Sequence, residues 1–162
     1  YDAVVLASAM SVKNFMQAWE LTDKVDLHSV RGQMSLAPET DITTKLKTIL
    51  NYRGYCSPAL NGMHALGSTF DRKNYSVELC DKDHKENVTY LEETVPSLKG
   101  QFLPNQGKAG LRVSSKHRFP LYDRVASNMY VSTVHGSHGL VSTLQCAAII
   151  HNHLCSDLRV YT

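Results

Sequence analysis

The chain has 162 residues, 43% of them hydrophobic and 20% charged, with a formal charge of +2. That length carries one sizeable core, the balance is that of a globular protein, and the charge alone is too small for a nucleic-acid footprint. No apolar run approaches the about eighteen residues of a membrane-spanning helix and no stretch reads as a signal peptide; Cys56, Cys80, Cys146 and Cys155 show no C-x-x-C spacing and suit free thiols in a reducing, cytoplasmic compartment, with no membrane partner.

Residues 1–7 (YDAVVLA) open the chain without a methionine, as a continuous apolar run of the kind found in strands buried on both faces of a parallel sheet. The segments that follow do not read as βαβ units able to supply parallel neighbours, so the chain reads as a piece of something larger. Residues 8–20, with Ser11, Asn14, Phe15 and Trp19, are predicted as a short amphipathic helix or a loop with one helical turn. Residues 27–36 alternate as a strand, with Arg31-Gly32-Gln33 inside it; a glycine there marks a bulge or a close backbone approach. Residues 41–50 are predicted as a short helix with Ile42, Leu46 and Ile49 on one side.

Two β-like runs, 52–58 and 63–69, meet at Leu60-Asn61-Gly62, where Asn-Gly signals a hairpin. Ser76 is predicted to cap a long polar helix to about Glu93, with Val77, Cys80, His84, Val88 and Leu91 as its buried stripe and Pro96 as its stop. On that helix Asp81, Lys82, Asp83, Lys85 and Glu86 read as a solvated, mixed-charge face. A strand is predicted within 101–113 and a loop at 119–123. The chain closes with a strand (129–134), a glycine-bearing turn (135–139), a helix (141–154) and a short tail (155–162). The fold class is α+β: the middle is a mixed, largely antiparallel sheet of hairpins with helices, and the two ends look like pieces of an α/β domain.

The last turn carries the clearest chemistry. Gly136 and Gly139 tolerate left-handed backbone and let a ligand approach closely, and the first amides of the following helix lack intrahelical partners. Such a corner suits an anionic or strongly accepting group. A metal site is not predicted: His151 and His153 stand two apart and do not share a helix face, and His135 and His138, with Cys146 and Cys155 nearby in sequence, form no H-x-x-x-H pair. Lys108, Arg112, Lys116, Arg118 and Arg124 place five cations within seventeen residues, a basic edge able to engage phosphates.

Taken in order, YDAVVLASA, RGQMS, GYCSPALNGMHALGSTFDR, GKAGLRVSSKHRFPLY and HGSHGLVSTLQCAAII resemble the second half of a D-amino-acid-oxidase-type flavoprotein. More closely, they resemble the FAD-dependent oxidoreductase domain of the bifunctional bacterial tRNA-modifying enzymes. The most specific pieces are RGQ, the G-Y-x-S/T-P hairpin, G-x-R before the Phe-Pro pair, and G-S-x-G-L at the last turn. The resemblance implies that 1–20 end a Rossmann-type FAD domain, 27–118 form the substrate domain and 119–162 return to the FAD domain. The family's dinucleotide fingerprint, G-x-G-x-x-G, does not occur in these residues. The fragment by itself is therefore expected neither to bind FAD tightly nor to turn over.

The implied cofactor is FAD, and the implied reaction removes the carboxymethyl arm of 5-carboxymethylaminomethyl-2-thiouridine at the tRNA wobble position by oxidative C–N cleavage. The implied partners are that tRNA, the rest of the FAD domain and a methyltransferase domain. By the same resemblance Arg112, in Gly110-Leu111-Arg112, would grip the substrate carboxylate, as a bidentate guanidinium can. Gly136, Ser137, His138, Gly139 and Leu140 would face the flavin, Arg31, Gly32 and Gln33 would lie beside its ring, and Tyr55 would line the substrate side with Ser57. His117, Asp123 and His138 stand where the family usually has an acid, a glycine and an arginine. A binding module without redox activity and a small-molecule glycine or sarcosine oxidase remain the alternatives.

Overall fold

In a computed structural model the chain is described over residues 2–20 and 26–158; Tyr1 and the end of the tail (159–162) lie outside the described residues. The elements run β1 (Val4–Leu6), α1 (Val12–Ala18), β2 (Leu27–Pro38), β3 (Leu50–Asn51), β4 (Tyr55–Cys56), β5 (Met63–Gly67), α2 (Asp81–Thr94), β6 (Gln106–Ser115), β7 (Leu121–Ala126), β8 (Met129–Thr133) and α3 (Gly139–Leu158). Two compact units emerge, one of Val30–Leu111 and one of Tyr1–Ser29 with Arg112–Thr162. The content is mixed, with the antiparallel sheet expected of an α+β chain.

In the Val30–Leu111 unit the strand order is β3-β4-β5-β2-β6. The β2–β5 ladder is antiparallel, from Met34 opposite Gly67 to Pro38 opposite Met63. Asn61 and Gly62 have φ of 52° and 77°, so both corner residues are left-handed, as the Asn-Gly hairpin requires. Ala37, Cys56, Leu66, Leu91 and Phe102 form the core, with Leu46, Val88 and Leu98 packed against it.

Two predicted helices change. Residues 41–50 make only a 3-10 turn at Thr43–Lys45, and Leu50 joins β3. The Thr43 hydroxyl is held at 2.9 Å by Nε2 of His64, whose Nδ1 lies 2.8 Å from the Ser57 carbonyl. That tie fixes the turn against the sheet, and Ile42 and Ile49 remain exposed. Ser76 does not cap α2, which starts five residues later with Cys80 in extended backbone before it. The carbonyls of Ser76, Glu78 and Cys80 accept side-chain bonds from β2 and are held out of helical geometry. The buried stripe of α2 is therefore Asp83, Asn87 and Leu91, at i, i+4 spacing, while Val77 is exposed. Asp83 belongs to the interior and not to the solvated face expected of it.

In the other unit the order is β1-β8-β7. The parallel neighbour of β1 is β8, from Val4 opposite Met129 to Leu6 opposite Val131. Only Leu6 of β1 is buried; Val4 and Val5 are exposed, so this strand is not covered on both faces as its apolar run predicts. Val12 and Met16 turn inward from α1 to pack with Leu6 and Val131. Residues 121–123, expected in a loop, are strand: β7 pairs antiparallel with β8 through a short connection, with a register shift between Arg124 and Ala126.

Candidate cofactor and substrate site

The glycine corner follows β8. Val134 has φ +62° and Gly136 φ +56°, and these two left-handed residues turn the strand into a 3-10 turn (Gly136–His138) that leads straight into α3. A Cβ built on Gly136 meets nothing within 4 Å, so the backbone there is open to a ligand. Gly136, Ser137, His138 and Leu140 are exposed, and no acidic side chain lies in the first turn of α3. These features fit a group that presents phosphate or carbonyl oxygens, because the helix amides and dipole face it without competition from a carboxylate.

The corner is pinned by His135. Its Nε2 lies 3.2 Å from the Ser132 hydroxyl and its Nδ1 3.0 Å from that of Ser142, which itself donates to the His138 carbonyl at 3.0 Å. With the Ser142 proton directed at that carbonyl, its oxygen accepts from Nδ1–H. Desolvation lowers the His135 pKa from the usual 6.5 and so favours the neutral ring. By sequence pattern His135 is only a metal candidate; the serines three before and seven after it are the signal for a hydrogen-bond brace.

Arg112 lies on β6, half-buried, between exposed Leu111 and buried Val113. Two residues earlier on the same strand, a Cβ at Gly110 meets no atom within 4 Å, so the strand is open at that point. Tyr55, half-buried on β4, pairs with Gly67, and its hydroxyl lies 3.6 Å from where a Gly67 Cβ would stand.

Arg31 and Gln33 are brought together inside the Val30–Leu111 unit, both fully buried on β2. The Arg31 guanidinium pairs with the Asp83 carboxylate and donates to the carbonyls of Ser76 at 2.7 Å and Glu78 at 2.6 Å, and to Gln33 Oε1 at 3.0 Å. Gln33 in turn donates to the Cys80 carbonyl at 2.9 Å and accepts from the Cys80 amide at 2.8 Å. Asn87 closes the network by donating to the Gln33 carbonyl at 3.0 Å and the Ser35 hydroxyl at 2.9 Å. Both predicted cofactor side chains are thus engaged by protein, and Gly32 is buried between them. Asp83 and Asn87 are the residues sequence reading missed, since their partners lie 52 and 54 positions away.

A cleft of about 400 Å³ runs along α2, lined by Asp81, His84, Val88, Phe102 and Leu103 among others, and none of the predicted site residues line it. Among the described residues no group of three or more His, Cys, Asp or Glu side chains is placed to hold a metal, and no helix is long and apolar enough to cross a membrane.

Residues 1–152 match the family model DAO, FAD dependent oxidoreductase. The chain is 29% identical over 99% of its length to the tRNA 5-methylaminomethyl-2-thiouridine biosynthesis bifunctional protein MnmC of Idiomarina loihiensis. It is 31% identical, over 91% of its length, to the protein of the same name from Pseudomonas syringae pv. tomato. It spans about a quarter of each, 26% and 27% of their lengths. Its fold is similar to that of glycine oxidase from Geobacillus kaustophilus, with TM-score 0.76 at 17% identity over 91% of this chain and 40% of that one. L-proline dehydrogenase from P. horikoshii is also similar, with TM-score 0.69 at 16% identity over 85% of this chain and 38% of that one.

Proposed function

This chain belongs to the DAO family of FAD-dependent oxidoreductases, and from that premise we propose that it forms the substrate-binding part, and a share of the FAD-binding part, of an enzyme acting on tRNA. The reaction is oxidative removal of the carboxymethyl group from 5-carboxymethylaminomethyl-2-thiouridine at the wobble position. One observation supports the reading: almost the whole chain, not one short motif, aligns with relatives named for the biosynthesis of 5-methylaminomethyl-2-thiouridine in tRNA. Bound FAD would accept the hydride equivalent from the carbon beside the substrate nitrogen. Arg112 holds the carboxylate of the arm, which fixes the direction in which that carbon faces.

The corner at Gly136–Leu140 offers backbone donors to the accepting edge of the flavin or to its phosphates. Arg31, Gly32 and Gln33 serve differently: with both side chains tied to Asp83 and Cys80, they keep a length of β2 rigid beside the ring. Tyr55 lines the substrate side. The tRNA, the rest of the FAD domain and a methyltransferase domain are the partners. The exposed apolar residues Leu140, Val141 and Leu144 on α3, with Val4 and Val5 on β1, support a further packed body over this unit.

A second reading, binding without redox activity, is favoured by the lack of G-x-G-x-x-G in these residues and by His117, Asp123 and His138. A flavin absorbance band on the purified intact protein separates the two. Turnover of modified tRNA against free sarcosine or glycine then separates the tRNA enzyme from a small-molecule oxidase. Arg112→Ala in the intact protein is expected to raise the apparent substrate constant by about a hundredfold or more, the effect of losing a bidentate charged contact, with flavin content unchanged. An unaltered constant removes Arg112 from this role.

A further inference from the structure

The residues of the predicted basic edge are divided between the two units. Lys108 belongs to the Val30–Leu111 unit, whereas Lys116, Arg118 and Arg124 lie in the other. Around these three the structure adds something that charge alone did not show. Lys116, His117, Arg118 and Phe119 are all exposed on the connection between β6 and β7, Phe119 to 76%. The connection turns sharply there, with the Arg118 amide donating to the Ser115 carbonyl at 3.2 Å and Arg118 at φ +59°.

Along β7 the alternation continues the pattern. Leu121 and Val125 turn inward onto the core of Leu6, Val12, Met16 and Val131. Tyr122 and Arg124 share the opposite face and are exposed. Among the described strands β7 is an outer one, with β8 as its partner. One acid lies on the strip, Asp123, and its carboxylate accepts the Arg124 amide at 2.7 Å.

Resting on the reading of tRNA as substrate, we propose that residues 116–124 are a contact surface for unpaired RNA: Phe119 and Tyr122 stack on exposed bases while Lys116, Arg118 and Arg124 hold the phosphates. Cations alone would suit any polyanion. Two exposed rings interleaved with three cations suit a strand whose bases are splayed out, because every base offers a face to stack on and a duplex offers none.

The test uses the intact protein and two labelled RNA probes: a stem-loop with an unpaired loop, and a fully paired duplex of similar length. Phe119→Ala is expected to weaken stem-loop binding about tenfold, a single stacking contact, and to leave duplex binding unchanged. Phe119→Trp restores the stem-loop affinity. The double variant Lys116→Ala/Arg118→Ala weakens both probes and, for contacts to the unpaired loop, makes the dependence of log affinity on log salt shallower by about 1.4, two contacts at about 0.7 each. An unchanged thermal midpoint of the intact variant shows that replacing Phe119 leaves the fold intact.

Stem-loop binding that is normal in the wild type and untouched by all three changes overturns this surface while leaving the tRNA reading in place. Loss of flavin absorbance in Phe119→Ala with RNA affinity retained also overturns it, and turns the strip toward the cofactor. A wild-type protein that binds neither probe but oxidises free sarcosine defeats the tRNA reading itself.

Discussion

The unit of Val30–Leu111 closes its interior around a buried charge, while the unit of Tyr1–Ser29 and Arg112–Thr162 leaves an apolar helix face in water. In the first, Arg31, Gln33, Asp83 and Asn87 are all buried, and each is matched by a partner on β2, on α2 or in the segment between 76 and 80. In the second, α3 exposes Leu140, Val141 and Leu144 at the end where it meets the glycine corner. The contrast teaches that one region carries its own complement within the chain, and the other presents a surface that a further body would complete. Buried polar networks are rigid when satisfied and costly when broken; an uncovered apolar face costs little to mutate until something covers it.

The sharpest way to break this contrast is Asp83→Ala. It leaves the Arg31 charge buried without its carboxylate, and about 3–5 kcal/mol of stability is expected to be lost in urea unfolding. Arg31→Met combined with Asp83→Leu should be milder than Asp83→Ala alone, since no orphan charge remains. A double variant as damaged as the single would show that shape, and not charge, holds the segment.

Next in size is a matched pair of leucines. Leu91→Ala, in the core of the first unit, should cost about 2–5 kcal/mol, and Leu144→Ala on the open face of α3 should stay within about 0.5 kcal/mol. In the intact protein the Leu144 change should grow towards core size; if it stays neutral there, the α3 face is ordinary surface.

Two glycines of β6 give a smaller effect. A Cβ at Gly107 would stand 2.3 Å from the Met34 carbonyl oxygen, so Gly107→Ala should cost about 1–3 kcal/mol as β2 and β6 are forced apart. Gly110→Ala meets nothing and should be close to neutral by the same denaturation assay.

The smallest effect is set by pH. Burial lowers the folded-state pKa of His135 below the usual 6.5, so the unfolded chain binds the extra proton first as the solution is acidified. Stability from this group is present above that value and is lost as pH falls through it. His135→Gln should flatten the stability profile between about pH 7.5 and 5.5, over the range where a histidine titrates. A profile unchanged by the substitution would remove His135 as the brace of the corner.

Much of this was legible from local chemistry. Asn61-Gly62 states its hairpin because those two residues accept left-handed backbone, and β2 states itself by alternation and β8 by a short apolar, β-branched run. The corner at 135–139 is readable as strand, glycine turn and helix, and the order of RGQ, G-x-R and G-S-x-G-L by itself points to the flavoprotein family. What the chain could not state locally was decided by partners far along it. Asp83 reads as one more charge on a polar helix until Arg31, 52 residues earlier, is folded beneath it. The start of α2 moves to Asp81 because carbonyls at 76–80 answer β2, and 41–50 remains a turn because His64 takes the Thr43 hydroxyl. Periodicity reports what a segment prefers alone; burial of a charge or a hydroxyl depends on a mate that only the tertiary fold delivers.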